Sequence, residues 1–328
     1  MTRTAATLVC ALVLALSGCG GDEPAEPLGA AEPGEAPELS TEPAGVVTEL
    51  ALQPEGMAYD AETDILAVAV REPTRLLLIQ GATGEILTEV PLPGHARHLQ
   101  MGGPGGPVLV GAEDSNTLVT VTLPGGDATA TPVGDYPHDA TRTESGRIAV
   151  AEEFAGSVSL VEDGEVVHRF DGATQPGGVA AVGDLVGMID VAEFSLTVYD
   201  AAAEERIAGI RAGDGPTHIV ADSRGDLLVA DTRGGAILVF TLDPLFQTKR
   251  IAVPGNPYGL AYDPNRDIVW VTLPVRNEVV GLDASSGLLE EVARLPTVRQ
   301  PNTVAVDPDS GRVWVSSRTT GQLQTIDP

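Results

Sequence analysis

Asn256-Pro257-Tyr258-Gly259-Leu260-Ala261-Tyr262-Asp263-Pro264-Asn265-Arg266-Asp267-Ile268-Val269-Trp270-Val271-Thr272 decides the fold. A proline turn opens it, a short apolar run follows, an Asp-Pro-Asn turn reverses the chain, and a second apolar run leads away. Val, Ile and Leu bounded by Gly, Asp, Asn and Pro read as two antiparallel strands. Beyond it, Glu278 to Asp283 reads as a third strand and Leu289 to Leu295 as a fourth.

The same unit recurs along the chain. Its opening turn appears as Gln53-Pro54-Glu55-Gly56, Tyr136-Pro137-His138-Asp139, Gln175-Pro176-Gly177-Gly178, Gly215-Pro216-Thr217-His218 and Gln300-Pro301-Asn302-Thr303. A further copy, His95-Ala96-Arg97-His98, has alanine in the proline slot. The anchors at 54, 96, 137, 176, 216, 257 and 301 are spaced 39 to 44 residues apart. Seven units of four strands at that period predict an all-β, seven-bladed β-propeller over residues 46–328. The last unit runs out after three strands. Val46-Val47-Thr48-Glu49-Leu50-Ala51-Leu52 is free to supply the fourth, which would close the ring and remove two open edges.

The second strands Ile65–Val70, Arg147-Ile148-Ala149-Val150 and Arg312-Val313-Trp314-Val315 resemble the YVTN repeat of the YncE-like propellers, and Ser115-Asn116-Thr117-Leu118-Val119 resembles that repeat's Asn-rich turn. The resemblance covers nearly all of 46–328. It implies an exported or periplasmic protein that binds a partner, a polymer or nucleic acid. A repeat motif specifies a fold better than a function.

The chain carries 47 Asp and Glu against 19 Lys and Arg, a net charge of −28. A surface this acidic repels phosphate backbones, which argues against a nucleic-acid partner. Both cysteines, Cys10 and Cys19, lie in the first twenty residues, so thiol chemistry is excluded from the rest of the chain.

The N-terminus reads as an address. Arg3 precedes the apolar run Ala5 to Leu16, which is too short to span a membrane comfortably. Leu16-Ser17-Gly18-Cys19 resembles the lipobox of bacterial lipoprotein signals. That resemblance implies removal of residues 1–18, a lipid on Cys19 and attachment to the membrane or cell envelope. Residues 19–45 then form a spacer in which Asp22, Glu23, Glu26, Glu32, Glu35, Glu38 and Glu42 alternate with five prolines. Like charges and proline predict an extended, disordered tether.

In a propeller the entry turns and the loops after the second strands open on one face, here termed the mouth. His98, His138 and His218 fall in entry turns, with His138 one position out of register with the other two. Glu113, Glu152, Glu153, Asp190 and Asp231 fall at second-strand ends, and Glu55 in the first entry turn. The candidate ligand-binding set is therefore His98, His138, His218, Asp190, Asp231, Glu152 and Glu55. No catalytic residue, resident metal or cofactor is predicted. A divalent cation held by carboxylates on the same face is the alternative.

Two enzyme families bear comparison. Pro54-Glu55-Gly56-Met57-Ala58-Tyr59 resembles the opening of metal-dependent lactonase propellers, whose early glutamate binds a divalent cation. Tyr258 stands where their Pro-Asn-Gly turn has asparagine. Pairs such as His218 with Asp231, or His138 with Glu152, are similar to the histidine–glutamate arrangement of streptogramin lyases, which use magnesium. Trp270 and Trp314 read as core, and Asp60, Asp222, Asp263 and Asp307 as turn formers. The reading is a binding or scaffolding module for a small ligand or envelope partner at the mouth. The alternative is a metal-assisted lyase or lactonase on the same face, and catalysis stays open.

Overall fold

The computed structural model describes residues 29–50 and 52–328. The expected signal (1–18), the lipidated Cys19 and the first part of the spacer lie outside the described residues. The rest is a ring of seven four-stranded antiparallel sheets, a seven-bladed β-propeller. The innermost strands are Leu52–Asp60, Leu99–Met101, Pro137–Arg142, Pro176–Val182, Pro216–Ala221, Leu260–Asp263 and Thr303–Val306.

Alternation explains the packing. In blade 1, Leu66, Val68 and Val70 face Trp314 and Leu323 of blade 7. Their neighbours Ile65, Ala67 and Ala69 face Leu99, Val108 and Val110 of blade 2. Successive strand residues point to opposite faces, and each face of a blade meets another blade. A second strand is thus apolar throughout, and Ile65 to Val70 are all at most 3% exposed. Each such Leu, Ile or Val stabilises the fold by roughly 1.5–3 kcal/mol. The outermost strands have water on one edge and alternate in exposure, as in Leu245–Ala252. Trp270 packs between blades 6 and 7 and Trp314 between blades 7 and 1.

The ring closes as a clasp. Val46–Glu49 is the outer strand of blade 7, antiparallel to Gln322–Ile326, with Val46 opposite Thr325 and Glu49 opposite Gln322. The pairing is shorter than the stretch to Leu52 that the sequence predicts. The Leu50 amide makes a last bond to the Gly321 carbonyl (3.0 Å), and Leu52 already pairs with Glu72 in blade 1.

Residues 29–44 differ from the free tether expected. They form no helix or strand, yet they lie along the mouth face of blades 5 to 7. Arg233 donates to the Gly29 carbonyl (2.8 Å), Asn277 to that of Pro37 (3.0 Å), and the Ala44 amide donates to Pro296 (2.9 Å). Backbone groups with no partner inside the segment are met by loop side chains, which fixes an extended chain without secondary structure.

Candidate functional site

Each entry turn brings the chain to the channel, and the residue two positions after the anchor occupies equivalent places. In blades 2, 3 and 5 those residues are His98, Asp139 and His218; Asp139 lies opposite Ala151 and His218 opposite Ala230, both just past a bulge. Blades 2 and 5 stand three apart in a ring of seven, so side chains that touch between them meet near the axis. The rings of His98 and His218 do so, with centroids 4.5 Å apart. His138 packs on His98 at 4.7 Å and Tyr258 on His218 at 4.4 Å. A chain of four rings thus crosses the channel near its mouth.

This layer divides two compartments. Below it a cavity of about 400 Å³ follows the axis towards the far face, where Tyr59, Tyr262 and Pro264 line it. Its walls are mixed, with the aliphatic Met57, Leu99, Ile219 and Val304 beside Thr141, Thr303 and the two tyrosines. Its polar end carries His98, Gln100, Asp139 and His218. Asp139 accepts from Gln100 Nε2 (3.1 Å) and from the Val179 amide (3.0 Å), and His98 Nδ1 lies 3.4 Å from it.

Above the layer, on the mouth side, is a buried charged cluster. Glu55 pairs with Arg71 and with Arg318 (2.8 Å). Glu113, fully buried, lies 3.1 Å from Arg97 and 3.1 Å from His138 Nδ1, which is 3.2 Å from Glu153. These are ion-pair contacts rather than aligned hydrogen bonds. Both Glu113 oxygens, His138 Nδ1 and Glu153 Oε2 lack a well-oriented partner.

The two compartments hold histidines of opposite character. Burial alone would lower His138, but Glu113 and Glu153 outweigh it and raise its pKa to about 9. Burial, reinforced by the charges of His98 and His138, pushes His218 well below the ordinary histidine value. His218 Nδ1 has no partner either. At neutral pH an imidazolium and a neutral imidazole thus flank His98. Burial tends to raise Glu153, but His138 holds its carboxyl below the usual range.

Of the residues expected at the mouth, the structure brings together His98, His138 and His218 on the axis, and Glu55 joins the charged cluster. Glu152, Asp190 and Asp231, expected in the same ligand site, are instead engaged with the loops around them, and Asp231 keeps one buried oxygen, Oδ2, without a partner. Glu152 accepts from the Gly134 amide (2.6 Å) and from the hydroxyls of Ser157 and Ser159 (2.5 Å each). Asp190 accepts four backbone amides, those of Thr174, Gln175, Ala192 and Glu193. Asp231 accepts those of Asp214 (2.9 Å) and Gly234 (3.2 Å). A Cβ on Gly213, whose φ is +79°, would stand 2.4 Å from the Asp231 carboxylate, so glycine is required there. These carboxylates clamp loops by supplying acceptors to amides the strands leave unpaired.

Asp139, Gln100, Arg97, Arg71 and Tyr258 enter the site without having been expected there. For Asp139 the signal lay in the register: it occupies the anchor-plus-two slot that His98 and His218 fill.

Glu113, His138 and Glu153 also offer three ligand atoms within 4.8 Å of one another. One imidazole and two carboxylates suit a divalent ion. The Arg97 guanidinium at 3.1 Å and that of Arg71 at 3.7 Å from Glu113 oppose a cation there. The donor set fits; the neighbouring charge favours the proton His138 already carries.

No family model matches the sequence, and no curated protein matches it. Among solved structures, the chain is similar to the Kuenenia stuttgartiensis hydrazine synthase (TM-score 0.72, 16% identity, 89% of this chain and 98% of that one). It is similar to a streptogramin B lyase (TM-score 0.73, 13% identity, 85% and 96%). It is similar also to a virginiamycin B lyase from Staphylococcus aureus (TM-score 0.71, 16% identity, 85% and 98%). At these identities the likeness establishes the seven-bladed propeller and nothing finer.

Proposed function

We propose that the protein is an exported, lipid-anchored binding module of the YncE-like kind, whose channel holds a small ligand beneath the histidine layer. One observation carries the reading: His98 and His218, from nearly opposite blades, meet at the polar end of the channel cavity, and His218 Nδ1 is left unpartnered. A buried group without a partner costs about 1–3 kcal/mol, which a ligand's hydrogen bond would recover. The ligand is a small molecule with both apolar and hydrogen-bonding groups, because aliphatic side chains line the cavity together with Asp139, Gln100 and the two histidines.

A fragment library screened by ligand-observed NMR tests this. Hits lost both in His218→Ala and in the channel-filling Ala221→Trp support it; an absence of hits, or hits unchanged by both substitutions, overturns it. The anchor is tested separately, by metabolic labelling with an alkynyl fatty acid in the native host. Label should be present on the wild type and absent from Cys19→Ser, and an unlabelled wild type removes the anchor.

The convergence of Glu113, His138 and Glu153 favours a second reading, a divalent ion supporting lyase or lactonase chemistry at the mouth. Bound there by Glu113, His138 and Glu153, the ion would supply Lewis-acid polarisation of a substrate carbonyl. A similar virginiamycin B lyase was solved with quinupristin, which makes that compound the natural probe. Metal analysis of protein purified without chelator, with mass spectrometry of quinupristin incubations and a panel of lactones, decides. No stoichiometric divalent ion and no conversion would remove this reading.

A further inference from the structure

We propose that the mouth-face groove across blades 5 to 7 is a recognition site for an extended, acidic, proline-rich peptide, and that the chain's own residues 29–38 are its resident ligand. The segment is sorted by side-chain size. Ala31 and Ala36 are 7% and 3% exposed, whereas Glu32, Glu35 and Glu38 face water. Gly34 lies between them against the loops: a Cβ there would come within 2.4 Å of both Asn256 Oδ1 and Val275 Cγ1. Small residues thus point inwards at 31, 34 and 36, and acidic ones outwards.

The groove reads backbone. Gln300 clamps the segment from two sides: its Nε2 donates to the Gly34 carbonyl (2.8 Å), and its Oε1 accepts from the Ala36 amide (2.6 Å). Arg299 donates to the Ala36 carbonyl (3.2 Å) and stands 3.4 Å from the Glu38 carboxylate. Asn277 and Arg233 hold the Pro37 and Gly29 carbonyls. Arg299 with Glu38 is the one ion pair between groove and segment among the described residues, and in a chain of net charge −28 the two groove arginines, Arg233 and Arg299, keep this strip from repelling an acidic peptide. Pro33 and Pro37 limit the freedom of the unbound segment, which lowers the cost of ordering it.

Main-chain hydrogen bonds combined with pockets for side chains are one recurring way of binding an extended peptide. Such a site does not require that the peptide belong to the same molecule. Because the resident segment is covalently attached, its effective concentration is on the order of millimolar, and it excludes a free peptide of ordinary affinity. The partner this surface fits is the same segment of a second copy, once the resident segment is displaced. None of the groove residues lines the channel cavity, so the proposal stands or falls apart from the channel reading.

The probe is a fluorescent synthetic peptide of residues 29–44, added to the full chain. Ala31→Arg with Ala36→Arg displaces the resident segment while leaving the groove intact. Fluorescence anisotropy should show this variant binding the peptide at least tenfold more tightly than the wild type. Adding Arg299→Ala and Gln300→Ala should abolish the gain, and a Gly34→Leu peptide should not bind. Hydrogen exchange of the unsubstituted protein gives a reading that needs no variant, with the Ala36 amide expected to be protected. Exchange at Ala36 as fast as in the free peptide, or no gain in the displaced variant, overturns the proposal.

Discussion

The imidazoles of His98 and His218 stack across the axis of the propeller, 4.5 Å apart and tilted by 23°. They come from blades three apart in the ring and close the polar end of the channel between them. This contact makes one site of turns distant in sequence. Burial, helped by repulsion from the His138 charge, keeps His218 neutral, while the buried carboxylates beyond keep His138 protonated.

Histidine side-chain NMR should resolve the two titrations. His138 is expected to remain an imidazolium until pH nears 9, and His218 to remain neutral below the ordinary histidine range. Glu153→Gln should move the His138 midpoint downwards. A His138 midpoint near 6.5 in the wild type would contradict the paired arrangement.

Stability should follow the same groups. His138 has a folded pKa raised from 6.5 to about 9. Its contribution is therefore complete below pH 6.5 and is lost as pH rises through 9. At full size it is on the order of 3 kcal/mol. His218 has the opposite sign: its depressed folded value makes the protein lose stability as pH falls below the ordinary histidine range. Urea unfolding from pH 5 to 10 should show both limbs, with the alkaline one flattened in His138→Gln and the acidic one in His218→Phe.

Asp190→Ala should destabilise by roughly 2–4 kcal/mol, because four backbone amides lose their shared buried acceptor. Ligands of the channel should bind it unchanged once it is folded. A large loss of channel binding at native stability would restore Asp190 to the ligand site.

Deleting residues through Glu49 removes the outer strand of blade 7. The loss should be roughly 2–4 kcal/mol for a four-residue ladder. The bared edge of Gln322–Ile326 should also promote self-association. Denaturant titration and light scattering would detect the two effects.

Trp314→Ala should cost roughly 3–5 kcal/mol, because the ring fills the junction of blades 7 and 1 where the clasp closes. Measured by urea unfolding, a loss below 1 kcal/mol would mean that the junction repacks.

The architecture was legible for a physical reason. Proline turns at a period near forty and apolar runs such as Ile65 to Val70 encode a strand buried on both faces, and repetition of that unit encodes a ring. The shortfall of one strand at the end, with a spare one at Val46–Glu49, encoded the closure. The site was legible only in part. His98 and His218 were visible as polar residues in entry turns, but Glu152, Asp190 and Asp231 looked like their partners. A carboxylate at a strand end reads alike whether it turns to a ligand or to a loop amide.

What the sequence by itself determined was the repeat, the number of blades and the strand that closes the ring, because these follow from local turn chemistry and period-two burial. What only the tertiary structure decided was which side chains meet. Blades 2 and 5 are brought together by ring closure alone, so the His98–His218 stack, the opposed protonation of His138 and His218, and the channel beneath them have no local signature. The same holds for the acidic N-terminal segment. Its composition dictates an extended chain, but only the groove formed by Asn256, Asn277 and Gln300 decides where that chain lies.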